Sequence, residues 1–281
     1  MKISTLFRFN GLAPAWQFSA TNTLWRIIFS DSKIIVGEDR DTQNKSVTFF
    51  CIDAHDGRVL WQKKSFSEKW WIGIEGIAGD RLFLHGFKKP DMPDHQGIIC
   101  ADLKTGIEVW HNNGCSFLTV HFPFVYGYRD LFERRVYREL QASDGTFVQE
   151  LPQLPENVDS NLPLEKTDFL FPQPLLSENE LVWKLIPEDL FRIRSDTKHL
   201  EYIELEKYLV FNAYTISQDQ EHQENLINTL YIIDVQSRKK LYSDVLNNET
   251  PYPVPDSFFV DGNTLYYIKE RKTFVALTLE K

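Results

Sequence analysis

The stretch FFCIDAHDGRVLWQKK at residues 49–64 returns as IICADLKTGIEVWHNN at residues 98–113, and this repetition constrains the chain more than any other feature. Cys51 falls on Cys100, Asp53 on Asp102, Gly57 on Gly106 and Trp61 on Trp110, so the agreement is positional and not only compositional. Two apolar runs precede each copy, LWRIIFS and KIIVGED before the first, WWIGIEGIAG and RLFLHGF before the second. Each unit therefore reads as four short strands parted by turn residues, with Asp56-Gly57 supplying the positive φ that a tight hairpin requires. Fainter copies follow. TLYIIDVQSRKKLYSDV keeps an aspartate, Asp234, and puts Tyr242 at the tryptophan place, with Arg238 where the glycine stood. YRELQASDGTFVQEL keeps the Asp144-Gly145 turn and loses the aromatic. A four-stranded unit repeated every forty to fifty residues or so cannot cover both faces of its own sheet and must stack on its neighbours, which is the signature of a propeller blade.

The run A-D-L-K-T-G-I-E-V-W, from Ala101 to Trp110, resembles the blade motif of the quinoprotein-like (PQQ-type) β-propellers. The resemblance implies that the Thr-Gly turn joins a blade's two outer strands and that the tryptophan docks against the adjacent blade. For Trp61 and Trp110 it implies packing, a large ring wedged between blades. It also extends to bacterial domain-of-unknown-function families of this size, for which no activity is implied. The expected fold is all-β, a single β-propeller domain over residues 1–281 of about six four-stranded blades. The blades are placed near residues 21–65, 66–113, 114–152, 153–197, 198–247 and 248–281. The last, SFFVDGNTLYYIKERKTFVALTLEK, shows only three strands. The chain start supplies the fourth, because Gly11 and Trp16 in FNGLAPAWQF imitate the glycine and tryptophan of the repeat. The ring is thus expected to be closed by the N-terminal strand joining the C-terminal blade, leaving no open sheet edge. Residues 153–200 are read from ELVWKLI and DLFRIRS as strands and from LPQLPENVDSNLPLEK as a Pro-rich loop. RDLFERRVYREL and KHLEYIELEKYL fit helical spacing as well as strand alternation.

Composition narrows the classes. Apolar residues make up 42%, aromatics 14% and charged residues 25%, enough for a real core in a chain of 281 residues. A formal net charge of −9 opposes phosphate backbones, so nucleic acid is not expected as a partner. The start, MKISTLFRFNGLAPAWQF, has Arg8, Asn10 and Gln17 interrupting any apolar run, so neither a secretory leader nor a membrane span is expected. Cys51, Cys100 and Cys115 are odd in number, which suits reduced thiols in a cytoplasm.

The innermost strands of a propeller line its channel, and here each carries an isolated polar residue: Arg26 in LWRIIFS, Glu75 in IGIEGIAG, His121 in TVHFPFV, Gln173 in FPQPLL and Glu204 in YIELEK. Pointing inward, they would suit a small ion or, with a shifted carboxylate or imidazole, acid–base work. The plainer reading is that any channel needs a polar lining. Trp25, Trp70 and Trp71 begin the inner strands of the first two blades and would make an aromatic platform if exposed, or more core if buried. Cys51 and Cys100 occupy one repeat position among apolar residues and are read as core. The quinoprotein enzymes hold their cofactor beside a disulfide of adjacent cysteines with a carboxylate-bound calcium; no two cysteines are adjacent here, so no cofactor is expected. Asp91, Asp94 and His95 share the loop KKPDMPDHQG, which is read as solvated, and no metal site is assigned. GIEGIAG precedes a strand turn and is not a phosphate cradle.

Two functions remain. The preferred one is a non-catalytic propeller serving as a binding platform for a protein or small ligand, since function is grafted onto a fold and not implied by it. The alternative is a hydrolase or lyase acting on a carbohydrate-like small substrate at the channel mouth, with Glu75, Glu204 and His121 as acid–base candidates.

Overall fold

The computed structural model describes residues 12–89, 92–160, 164–187, 190, 200–218 and 224–279. The chain divides into two compact units, Ala20–Thr167 and Met1–Ser19 with Asp168–Lys281. The first strand, β1 (Pro14–Ser19), belongs to the second of these.

The Ala20–Thr167 unit is three antiparallel meanders of four strands each. The first is β2 (Thr23–Phe29), β3 (Ile34–Asp41), β4 (Ser46–Asp53) and β5 (Val59–Lys64). The second is β6 (Ile72–Ala78), β7 (Arg81–Phe87), β8 (His95–Asp102) and β9 (Glu108–Asn112). The third is β10 (Ser116–His121), β11 (Phe124–Asp130), β12 (Arg135–Gln141) and β13 (Phe147–Leu151). A single parallel pairing of Ser116 with Gly97 joins the second and third into one eight-stranded sheet. RDLFERRVYREL is a hairpin and not a helix: it holds the end of β11, the turn after Asp130 and most of β12, with Asp130 paired to Arg135. Cys51 and Cys100 are fully buried, as read.

The repeat works as a joint between sheets. In the first and second meanders the aspartate carbonyl accepts the glycine N–H, Asp53 from Gly57 at 2.9 Å and Asp102 from Gly106 at 2.8 Å. Gly57, Gly106 and Gly145 all hold positive φ, at 71°, 65° and 70°. The tryptophan of one meander then docks on the turn region of the next. Trp61 donates Nε1–H to the Leu103 carbonyl at 2.8 Å, and Trp110 donates to Ala142 at 3.0 Å. A Cβ on Gly106 would lie 2.8 Å from the Trp61 ring, and one on Gly145 2.5 Å from the Trp110 ring. Glycine is therefore needed twice over, for the backbone and for the ring. Ile28, Val36, Phe49 and Cys51 of the first meander form one core with Ile72, Leu82, Leu84 and Ala101 of the second.

The second unit holds β14 (Gln173–Pro174), a one-turn helix α1 (Glu180–Trp183), and strands β15 (Glu201–Glu204), β16 (Tyr208–Gln218), β17 (Glu224–Asp234) and β18 (Lys240–Thr250), ordered β14-β15-β16-β17-β18. A last sheet, ordered β1-β21-β20-β19, comprises β19 (Phe258–Asp261), β20 (Thr264–Lys269), β21 (Thr273–Thr278) and β1. The chain start thus completes the C-terminal sheet as the sequence predicts, Trp16 opposite Ala276 with its ring edge-on to Phe274. Gly11 lies outside the described residues. Arg238 takes φ 55° in the place of the repeat's glycine. Tyr242, at the tryptophan place, also links two sheets, its hydroxyl 2.7 Å from that of Tyr267, which donates to Asp244.

The strand predicted over ELVWKLI is instead α1 and the turn after it, with Val182 and Ile186 buried in one apolar cluster with Tyr202, Leu209 and Phe211. DLFRIRS lies almost wholly outside the described residues. The stretch 153–197, expected as a blade, contributes among the described residues only the two-residue β14 and α1. From Glu201 on, KHLEYIELEKYL forms β15 and the start of β16.

Candidate functional site

The first strand of each of the three meanders carries a bulge against the second. The register shifts between Leu24 and Ile27, between Ile74 and Gly76, and between Phe117 and Thr119. A bulge leaves a residue unpaired and re-aims its side chain. Two of the predicted polar residues, Arg26 and Glu75, sit at these bulges.

Arg26 bridges the first two meanders, donating to the Ile74 carbonyl at 2.7 Å and to Glu165 at 3.3 Å. His121 is exposed at the end of β10, its Nε2 3.4 Å from the Asn157 amide. Gln173 and Glu204 fall on paired strands of one sheet in the other unit, both exposed, and not on the inner strands of two separate blades. Arg26, Glu75 and His121 share a unit but make their contacts with different partners.

Glu75 is held differently. Its Oε2 lies 2.5 Å from His85 Nδ1 and 3.0 Å from His95 Nδ1. His85, on β7, is 3% exposed; His95 opens β8, so it belongs to a strand and not to the solvated loop. The imidazoles are stacked at 3.4 Å with planes 8° apart, and Phe87 meets both edge-on. Burial pushes the Glu75 carboxyl up, but the two imidazoles outweigh it and bring it down to about 2. His85 is pushed below the usual imidazole range by burial, against the pull of Glu75. These three side chains could hold a metal, their ligand atoms all within 4.8 Å of one another. His95 also opens onto a cleft lined by Lys88, Gln96, Ser116 and Tyr128. Asp91 lies outside the described residues.

Beside this cluster, β3 buries three successive charges. Asp39 accepts the Thr21 and Asn22 N–H groups at 2.7 and 2.8 Å. On the opposite face of the strand, Glu38 accepts the Ile74 N–H at 2.8 Å and the Arg40 Nε–H at 2.7 Å. Arg40 donates onward to the Trp70 and Ile72 carbonyls, at 3.0 and 2.5 Å. Its guanidinium lies 5.8 Å from the Trp25 ring centre and 5.1 Å from that of Trp70, and Lys45 Nζ lies 5.0 Å from Trp70. Trp25 is 59% exposed; Trp70 and Trp71 are half-buried, Trp71 edge-on to Phe87. So of the three rings read as platform or core, one is presented to solvent with a fixed cation beneath it.

Sequence reasoning missed Glu38, Arg40 and His85. The signals were the charges interrupting the apolar strand KIIVGED and the lone histidine of RLFLHGF, the latter ten positions from both Glu75 and His95.

The fold and site define an all-β chain of antiparallel meanders with a polar, partly aromatic cluster at the bulged strands. Residues 28–110 match a family model described as Domain of unknown function (DUF4905). No curated protein matches the chain. Among solved structures, BamB from Moraxella catarrhalis is similar at 10% identity and TM-score 0.35, over 94% of this chain and 88% of that one. Quinohemoprotein alcohol dehydrogenase from Comamonas testosteroni is similar at 12% identity and TM-score 0.31, over 92% of this chain and 42% of that one. A eukaryotic initiation factor is similar at 11% identity and TM-score 0.33, over 89% and 50%. This chain thus spans half or less of the last two. Among the described residues, no helix is long and apolar enough to cross a membrane.

Proposed function

We propose that the chain is a non-catalytic β-propeller that serves as a binding platform for a protein partner, engaged through the Trp25 ring. The observation that carries this reading is the exposed indole of Trp25 set over Arg40, whose guanidinium is fixed by Glu38 and two backbone carbonyls. An exposed aromatic whose neighbours are already ordered loses little side-chain freedom on binding and can anchor a partner's apolar side chain. The propeller reading is supported by the Trp61 and Trp110 joints between successive meanders and by β1 completing the last sheet. A ring of about six such sheets closed by β1 is the arrangement proposed, with residues 1–281 as one domain. The hydrolase or lyase alternative has less support, since its acid–base candidates take separate places: Glu75 is paired with His85 and His95, His121 is exposed at the end of β10 and Glu204 is exposed on β15.

The test is a peptide array probed with the purified chain and with Trp25→Ala. Ligands that bind the wild-type chain should lose at least about tenfold in affinity on the variant, the effect of removing an interface anchor of about 1.4 kcal/mol or more. The variant's melting temperature should scarcely move, because the ring is exposed. Binders indifferent to Trp25 would overturn the reading.

A further inference from the structure

Two polar atoms of the Glu75 cluster stand out among the described side chains. Glu75 Oε2 and His85 Nδ1 are buried and face each other at 2.5 Å as a close ion pair that lacks the angles of a regular hydrogen bond. A carboxylate oxygen and two imidazole nitrogens gathered within 4.8 Å of one another, two of them buried, are the donor arrangement that a metal ion takes. His95 Nδ1 is aimed at the same oxygen from the next strand.

We propose that Glu75 Oε2, His85 Nδ1 and His95 Nδ1 bind a divalent transition-metal ion of the zinc class. Two imidazole nitrogens and one carboxylate oxygen are the donor set that zinc and ferrous iron accept, with a remaining coordination position left open. The donors come from β6, β7 and β8 of one sheet, so the hydrogen-bonded ladder positions them and not a loop. The bulge at Glu75 turns its carboxylate onto the face that carries both histidines. Gly73, opposite His85, leaves the ring its space, since a Cβ there would sit 3.0 Å from Nε2. Phe87 walls both imidazoles and limits water on that side.

In a tetrahedral site with bonds of about 2.0–2.2 Å, donor atoms stand about 3.3 Å apart. The two oxygen–nitrogen separations of 2.5 and 3.0 Å are shorter, so the cluster opens by several tenths of an ångström and the stacked rings splay as the ion enters. The larger opening falls between Glu75 and the buried His85, so the Glu75 carboxylate turns away from that ring, while His95, at the first residue of its strand with its side chain 37% exposed towards the cleft, shifts with it. The cleft also gives an ion its way in and a water or small ligand its place at the open position.

The proposal stands apart from the platform reading and is tested separately. The full chain is stripped with a chelator, then titrated with zinc by calorimetry and with cobalt(II) by visible absorption. The expected result is one ion per chain, an intense cobalt spectrum of low coordination number, and a raised melting temperature with zinc. His95→Gln and Glu75→Gln should each weaken zinc binding by at least about tenfold and abolish the cobalt band. His95→Gln alters a partly exposed residue and should fold as the wild type does, while His121→Gln, in an exposed histidine elsewhere, should bind like the wild type. Uptake well below one ion per chain, or His95→Gln and Glu75→Gln binding as tightly as the wild type, would overturn the assignment. Equal weakening in His121→Gln would do the same.

Discussion

Replacing Gly106 by alanine isolates the joint between the first two meanders. Gly106 holds φ 65°, and an L residue there costs about 1–2 kcal/mol in backbone strain. A Cβ would also fall 2.8 and 2.9 Å from two carbons of the Trp61 indole, a ring that is 7% exposed and tied to the Leu103 carbonyl. Pushing a fixed ring aside in a packed core costs a further ~1–3 kcal/mol. The sum is about 2–5 kcal/mol, against ~1–2 kcal/mol for strain alone. Gly262 provides that second case: its φ is 56° and nothing lies within 4 Å of the Cβ position. For a chain of this size each kcal/mol lowers the melting temperature by about 2–4 °C. Differential scanning calorimetry should therefore show Gly106→Ala falling by roughly 4–20 °C and Gly262→Ala by roughly 2–8 °C, the former about twice the latter. Equal losses would mean that the Trp61 contact contributes nothing and that the tiling argument is wrong.

Three further outcomes are expected. Arg40→Ala leaves the Glu38 carboxylate, 2% exposed, without its cation, and removing one partner of a buried ion pair costs about 3–5 kcal/mol; urea titration should show it, and Glu38→Gln with Arg40→Met together should recover part of the loss. The Thr105 hydroxyl and N–H hold the Asp102 carboxyl below its ordinary value, and the Ser237 hydroxyl and N–H do the same for Asp234. A depressed folded pKa gives stability that is present above the unfolded value near 3.8 and drains as pH falls through the folded one, so Asp102→Asn should flatten the acid limb of a melting-temperature profile below about pH 4. Tyr242→Phe removes the hydroxyl that joins β18 to Tyr267 of β20 and should cost about 0.5–1.5 kcal/mol, read as a shift of the urea midpoint without a change in slope.

Local chemistry made much of the architecture legible. An aspartate four residues before a positive-φ glycine and a tryptophan four beyond it name a turn and the ring that docks on the next one, and this needs no knowledge of distant contacts. Trp16 was legible for the same reason. ELVWKLI was not, because α1 is a single turn whose apolar residues fit a strand of the same length equally well. The site was legible only in part. Glu75 stood out as a lone charge in an apolar strand, but its meeting with His85 and His95 depends on hairpin register and on a one-residue bulge, and neither leaves a mark in composition. Arg40 was hidden because three charges at the end of KIIVGED and beyond read as a strand running into solvent, whereas Glu38 and Arg40 satisfy each other and the backbone of β6.

The borrowing of the chain's first strand by its last sheet is tested most directly by amide hydrogen exchange on β21 in the full chain and in one lacking residues 1–18. With β1 removed, amides of β21 that bond to it should exchange at least about tenfold faster and the melting temperature should fall, because a buried strand becomes an open edge. Unchanged protection along Thr273–Thr278, with an unchanged melt, would contradict the account.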